Sequence, residues 1–139
     1  MIAKHNFFNI RAAQDVWQGQ VGQRRGFVEF QNEKMAVRAW LRLMRTYREK
    51  HGLDTIEKIV NRFAPPSENN TLNYIRYCVE KVGKNAQEKL EYNADYCKLA
   101  EAMAFYETNT RLHEQRVFEC MKQYNCPVID NDELEDDYV

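Results

Sequence analysis

Hydrophobic positions repeat at helical spacing along most of this chain, but not in its first 31 residues. From Asn32 onward, apolar side chains return every three or four residues, which is typical of a helix with one buried face. This stripe consists of Val37, Trp40, Leu41, Met44 and Tyr47. Asn32 is a favoured N-cap residue, and Gly52 is a favoured residue just past a helix end. The pattern therefore predicts a long helix over residues 32–51.

Two further helices are predicted before residue 84. Residues 54–57 (Asp-Thr-Ile-Glu) have the spacing of a capping box, and Pro65 and Pro66 end the helix that it begins. Residues 67–71 offer the next start, and Gly83 the next end. The expected buried positions are Ile56, Ile59, Val60 and Phe63 in one helix, and Leu72, Ile75, Val79 and Val82 in the other.

Helix-forming residues then continue from Ala86 to about Tyr124 without Gly or Pro, after a second capping pattern at residues 85–88. Asn93 and the Thr-Asn-Thr cluster at residues 108–110 are the expected breaks, because their side chains compete for backbone hydrogen bonds. Pro127 closes the last helix. One side of that helix is formed by Val117, Cys120, Met121 and Tyr124.

Residues 6–31 show no helical period and suggest short extended pieces, with Gly19, Gly22 and Gly26 at turns. We therefore expect a mostly α protein with one domain over residues 1–129. Its parts are a minor extended or β lobe at residues 6–31 and helices at residues 32–126. Residues 130–139 are expected to form an acidic, mobile tail.

Composition narrows the class of protein. A chain of 139 residues with 44% hydrophobic content can bury a core within one domain. No apolar run is long enough to span a bilayer, and Lys4 and His5 interrupt any signal-peptide core, so we expect synthesis in the cytoplasm without a signal peptide. The four cysteines lack metal-binding spacing, and no nucleotide-binding motif occurs. No metal and no cofactor are therefore expected.

The net charge of −1 hides an asymmetry between the two halves. Residues 1–62 contain 12 Lys or Arg against 6 Asp or Glu, whereas residues 63–139 contain 8 against 15. A solvated face on the long helix accounts for much of the positive charge, through Arg38, Arg42, Arg45 and Arg48. Aromatic residues are not interleaved with these arginines as a base-stacking platform requires. The pattern therefore argues against a nucleic-acid partner.

Several short motifs together resemble a known family. They are Asn9-Ile10-Arg11, Trp17-x-Gly19, Phe27 and Phe30, Arg38-Ala39, Tyr47, and Ala-Pro-Pro-Ser-Glu-Asn-Asn-Thr at residues 64–71. The set is similar to small phage and prophage proteins labelled virion structural proteins or lysozyme-like. Residues 6–11 also resemble, more distantly, the Asn-Leu-Phe-Gly-Ile-Lys segment of bacterial glucosaminidases. The likeness covers residues 6–83 well and residues 96–107 loosely.

The resemblance implies a lysozyme-like fold, synthesis in a host bacterium, a place in the virion, and peptidoglycan or other virion proteins as partners. Two departures matter. Phe7-Phe8 replaces the family's Pro-Gly, and Val37 replaces a Gly before Arg-Ala. Lysozyme-like enzymes also place their acid glutamate before the asparagine-aromatic segment, where this chain has only five residues. An acid would therefore lie elsewhere in the chain.

Two glutamates are the candidate catalytic residues, since cleavage of a glycan needs a carboxylic acid whose pKa is raised by an apolar setting. Glu107 ends the apolar stretch 99–106, and a circularly permuted arrangement would bring it beside residues 6–11. The alternative is an exposed glutamate on a long helix. Glu68 lies at a helix start, where a structural cap is the alternative to a stabilising anion.

Five further residues are candidates for binding substrate. Asn9 and Arg11 can hydrogen-bond an acetamido sugar or a peptide carboxylate, and Trp17 either stacks on a sugar or anchors the small lobe. Glu29 either faces solvent opposite Val28 and Phe30 or lies on a cleft wall. Asn69 is expected to share the helix cap. The candidate functions are a virion-associated protein that binds or cleaves peptidoglycan, and a non-catalytic virion protein that keeps the scaffold.

Overall fold

The computed structural model describes residues 2–130, which form a β-hairpin followed by five helices. The elements are β1 (Gln20–Arg24), β2 (Phe27–Phe30), α1 (Glu33–His51), α2 (Ile56–Phe63), α3 (Thr71–Val82), α4 (Asn93–Thr108) and α5 (Glu114–Gln123). The prediction of a mostly helical protein with a small N-terminal extended lobe is confirmed. Apart from Asp130, the predicted acidic tail lies outside the described residues.

Helix α1 forms the centre of the core and follows its sequence pattern closely. The Asn32 side chain accepts a hydrogen bond from the backbone N–H of Met35, and Gly52 adopts the left-handed conformation at φ 64°. All five residues of the predicted stripe are buried, and Trp40, Leu41 and Met44 are fully enclosed. The capping residues and the buried hydrophobic positions thus predict the same helix, so both local sequence and core packing specify it.

The N-terminal segment lies along β2 and continues the hairpin. The backbone N–H of Phe30 donates to Lys4 O at 2.9 Å, and that of Val28 donates to Ile10 O at 3.0 Å. Asn6 is fully buried between these strands. Its Nδ2 donates to Ile10 O at 2.9 Å and Val28 O at 2.8 Å, while its Oδ1 accepts from Ile10 N at 2.9 Å. Asn6 therefore supplies the hydrogen bonds that hold this irregular segment in place.

Helices α2 and α3 differ in detail from the sequence prediction. The cap of α2 is Thr55, not Asp54, and its side chain accepts from Lys58 N at 3.2 Å. In α3 the cap is Asn70, and Leu72 is 67% exposed. Ile75 and Val82 are buried as predicted, and Thr71, Tyr74 and Cys78 complete the buried face of α3. The helical repeat of buried positions therefore passes through Tyr74 and Cys78 and does not include Leu72.

The capping pattern at residues 85–88 closes a turn and does not begin a helix. Glu88 N donates to Asn85 O at 3.1 Å, and the Glu88 carboxylate accepts from Asn85 N at 3.3 Å. The chain then pairs with the start of α2, where Leu90 N donates to Asp54 O at 2.9 Å and the Leu90 side chain is fully buried. Burial of Leu90 outweighs local helix propensity, so α4 begins only at Asn93.

The predicted basic face of α1 is not wholly solvated. Arg45 donates to Pro127 O at 3.0 Å and makes two hydrogen bonds of 2.6 Å to the Asp130 carboxylate. Arg48 donates to Leu90 O at 2.6 Å. These two arginines therefore fasten α1 to the end of the described chain and to the segment before α4.

Gly22, which was expected at a turn, lies within β1. Gly19 and Gly52 both have a positive φ, so replacing each by alanine compares two glycines in the left-handed region. A Cβ on Gly19 would collide with the Met35 side chain, whereas a Cβ on Gly52 meets nothing within 4 Å. We expect Gly52→Ala to lower the free energy of unfolding by about 1–2 kcal/mol, and Gly19→Ala by about 1–3 kcal/mol more. Urea denaturation of both variants measures this difference, and equal losses would contradict the predicted collision.

Candidate functional site

Glu107 lies in the last turn of α4 and contacts the N-terminal segment across 98 positions of sequence. Its carboxylate accepts a hydrogen bond from Asn9 Nδ2 at 3.1 Å, and the same amide lies 3.4 Å from the Glu107 backbone oxygen. The side chain is partly buried. The structure thus brings together the two residues that the permuted arrangement required to be neighbours.

Local structure explains how Asn9 reaches this position. Its φ of 56° is left-handed, a conformation that asparagine tolerates better than most residues. Thr108 Oγ1 donates to Phe7 O at 2.7 Å, which fastens the segment to the end of α4 two residues before Asn9. The left-handed backbone of Asn9 and the hydrogen bond from Thr108 to Phe7 together place the Asn9 amide next to Glu107.

Tyr74 of α3 completes the inner wall beside Glu107. It is 1% exposed, and its hydroxyl has no hydrogen-bond partner of standard geometry among the described residues. Burial and the nearby Glu107 carboxylate raise the pKa of Tyr74 well above its ordinary value. Burial, followed by the charge of Glu107, also raises the pKa of the Cys78 thiol to about 12. Glu107 therefore rests against a wall that stays uncharged.

The environment of Glu107 favours its protonated form. Burial raises the pKa of this carboxyl above its ordinary value of 4.5, against the opposing influence of the Asn9 amide, the Tyr74 hydroxyl and the Arg11 charge. Desolvation penalises a carboxylate more than its neutral acid, so here it outweighs three stabilising neighbours. An upward shift of a carboxyl pKa is the change that a general acid requires.

A second carboxylate lies on the other side of Arg11. Arg11 Nη2 donates to Glu68 Oε2 at 3.1 Å, and the guanidinium lies 5.2 Å from the centroid of the Phe27 ring. The two charged side chains are 60% and 52% exposed, so this ion pair adds little to stability and exchanges readily. Glu68 does not cap α3. Asn9, Arg11, Glu68, Tyr74 and Glu107 together form what we call the Glu107 cluster.

The other candidates lie outside this cluster. Trp17 packs partly buried against the core, and its backbone N–H donates to Gln20 Oε1 at 3.1 Å. Glu29 is partly buried and lies over Gly22 of the hairpin. Asn69 is exposed and donates to Pro65 O at 3.2 Å, so it braces the turn before α3 and does not cap it. Roles in substrate binding for these three residues stay predictions.

Sequence reasoning missed Tyr74 because Leu72 appeared to set the phase of α3. The available signal was the spacing of Tyr74, Cys78 and Val82, which forms a better buried stripe.

Within residues 2–130, no three His, Cys, Asp or Glu side chains are grouped as metal ligands would be. The same residues include no helix long and apolar enough to cross a membrane. The chemistry that this cluster offers is acid–base and hydrogen-bonding chemistry.

The raised pKa of Glu107 predicts a specific dependence of stability on pH. Folding favours the protonated carboxyl, so its contribution to stability is fully present below about pH 4.5 and is lost as pH rises through the folded pKa. Glu107→Gln keeps an oxygen for Asn9 but cannot ionise. We therefore expect its stability relative to wild type to increase between pH 4 and pH 7 in urea denaturation. Glu80→Gln, at an exposed position of α3, should show a smaller change, and equal pH dependence would contradict the prediction.

Comparison with known proteins supports the phage side of the resemblance. No family model matches the chain. It is 36% identical over 94 residues to Protein P5 of Pseudoalteromonas phage PM2, an alignment that covers 64% of this chain and 59% of the phage protein. The chain therefore spans about three fifths of the relative that it matches, whose name states neither an activity nor a ligand. This mostly helical protein is thus similar in sequence to a bacteriophage protein over about two thirds of its length.

Proposed function

We propose that this protein is a virion-associated, lysozyme-like phage protein that binds peptidoglycan glycan strands and cleaves them through Glu107. One observation carries the proposal: a half-buried glutamate with a raised pKa at the end of a helix, hydrogen-bonded at 3.1 Å by an asparagine of the segment that resembles glucosaminidases. Glycoside hydrolysis requires a protonated carboxyl to donate to the leaving oxygen. The raised pKa of Glu107 favours the protonated form that this step needs.

The rest of the cluster has defined parts in this reaction. Glu107 donates its proton to the glycosidic oxygen as the bond from C1 to that oxygen breaks, and the sugar develops oxocarbenium charge. Water then adds at C1 and its proton returns to Glu107. Glu68 stabilises that charge once a ligand displaces its exposed ion pair with Arg11, and the freed guanidinium then binds a carboxylate of the strand. Asn9 donates to Glu107 in the free protein and turns to an acetamido oxygen in the complex. Whether Glu68 or the substrate's own acetamido group takes the second role decides between two forms of the mechanism.

Release of soluble fragments from purified sacculi tests this proposal directly. Wild-type protein at micromolar concentration should reduce turbidity and release muropeptides in at least part of the range from pH 4 to pH 8. The released sugar ends identify the bond that is cut. No release anywhere in this range would rule out the enzymatic form.

A non-catalytic virion protein is the second candidate, and a specific observation favours it. Asn9 and Glu68 both have partners inside the protein, and Thr108 ties the same segment to α4. These contacts also describe a scaffold that only holds its N-terminal segment in place. This candidate predicts that the protein co-purifies with virions whether or not Glu107 is present. A protein absent from purified virions would exclude it.

A further inference from the structure

A cavity lies between α3, α4 and the segment that joins α4 to α5. Its volume is about 490 Å³, within the range of roughly 300–1,000 Å³ that is common for small-molecule sites. Tyr77 of α3 and Phe105 of α4 line it with nearly parallel rings, whose centroids are 6.0 Å apart at 17°. Both rings are partly exposed. The cavity therefore offers an aromatic wall to a bound molecule.

Positive side chains border this wall. Lys81 Nζ lies 5.5 Å from the centroid of Tyr77, and Arg111 Cζ lies 5.3 Å from that of Phe105. Among residues 2–130, neither cation takes part in an ion pair. The one carboxylate that lines the cavity, Glu101, accepts a hydrogen bond from Glu114 N at 2.8 Å. The cavity lining thus carries two cations and one carboxylate, and that carboxylate is already stabilised by the N-terminus of α5.

Contacts between aromatic rings connect this cavity to the Glu107 cluster. Tyr106 lies 5.7 Å from Tyr77 and 4.0 Å from Tyr74, measured between ring centroids, and it is 38% exposed. Tyr74 in turn lies against Glu107. The exposed aromatic surface therefore runs from the cavity to Tyr106, and the buried Tyr74 ring lies between Tyr106 and the candidate acid. The negative faces of aromatic rings attract the C–H groups of a sugar, so such a surface suits a saccharide chain.

We propose that this cavity binds a carboxylate-bearing saccharide unit of the glycan strand, one or more units away from the bond at Glu107. Lys81 and Arg111 bind the carboxylate, and Tyr77 and Phe105 pack against the apolar face of the ring. Two cations without acidic partners select an acidic ligand, and the aromatic wall selects one with a flat apolar face. This inference rests on the proposed function, because it assigns the substrate class of the same strand.

Binding of the full chain to purified sacculi tests the proposal with a charge-matched control. The variant Lys81→Gln with Arg111→Gln should raise the dissociation constant about tenfold or more, as expected for lost charge-assisted hydrogen bonds. The control Lys50→Gln with Lys98→Gln removes the same charge from exposed positions of α1 and α4 and should change it by about twofold or less. Sacculi whose carboxyl groups have been amidated should bind wild type as weakly as intact sacculi bind the first variant.

Equal binding by the two double variants, or undiminished binding of wild type to amidated sacculi, would overturn the assignment. A wild-type protein that does not bind sacculi, or that prefers single-stranded DNA at the same salt concentration, would also overturn it. Failure of the catalytic proposal gives a different result. Suppose that Glu107→Gln releases muropeptides like wild type while Lys81→Gln with Arg111→Gln still binds weakly. The cavity then remains the proposed saccharide site, and Glu107 is excluded as the acid.

Discussion

Glu107→Gln is expected to reduce the release of muropeptides from sacculi by roughly 10²–10⁴-fold, the usual contribution of a general acid. Glutamine preserves the acceptor for Asn9 Nδ2, so the 3.1 Å contact and the fold are retained. The variant cannot supply a proton to the glycosidic oxygen. Binding to sacculi should stay close to that of wild type, since only the reacting proton has been removed. A loss of release without a loss of binding separates catalysis from attachment.

Two further variants make this prediction specific. Glu80→Gln removes an exposed carboxylate from α3 and should leave release unchanged. Tyr74→Phe removes a hydroxyl that lowers the pKa of Glu107, so the decline of activity with rising pH should move to higher pH. Activity must fall on the alkaline side because the acid form is the reactive one. Release by Glu107→Gln at the wild-type rate would eliminate Glu107 as the acid and assign the reacting carboxyl to another residue.

The sequence was sufficient for elements whose signals lie close together in the chain. Helix α1 has a cap, a stripe and a terminal glycine that agree, and its limits were predicted within one residue. The residues from 84 to 92 show the opposite case. Their capping pattern fits both a helix start and a tight turn, and only the distant pairing of Leu90 with Asp54 selects the turn. Local propensity could not supply that information.

The candidate site was predictable only through the family resemblance. Asn9 and Glu107 are separated by 98 positions, and no periodicity connects them. The permuted lysozyme-like arrangement named both residues, whereas reasoning from residue types alone left Glu107 as one glutamate among many. Tyr74 was missed because the prediction placed Leu72 on the buried face of α3, although the spacing of Tyr74, Cys78 and Val82 indicates that face. Contacts between distant segments therefore account for the difference between the predicted and the observed site.

The Phe7-Phe8 pair shows how the core supports the site. The Phe8 ring is fully buried and stacks on Trp40 of α1, with centroids 5.4 Å apart at 18°. Where the family pattern that the chain resembles has Pro-Gly, this chain has an aromatic anchor next to Asn9. The N-terminal segment is thus held by packing on α1 as well as by the hydrogen bonds of Asn6. The packing of Phe8 and the hydrogen bonds of Asn6 together therefore fix the position of Asn9.

Phe8→Ala should therefore lower the free energy of unfolding by about 3–5 kcal/mol, because it removes a fully buried ring and leaves a cavity against Trp40. Leu72→Ala is the control, since that side chain is 67% exposed and its loss should cost about 0.5 kcal/mol or less. Urea denaturation of the two variants and wild type measures both values. Equal stabilities would mean that the segment does not pack on α1. If Phe8→Ala is destabilised but still folded at low temperature, weaker release of muropeptides at that temperature would connect the anchor to the position of Asn9.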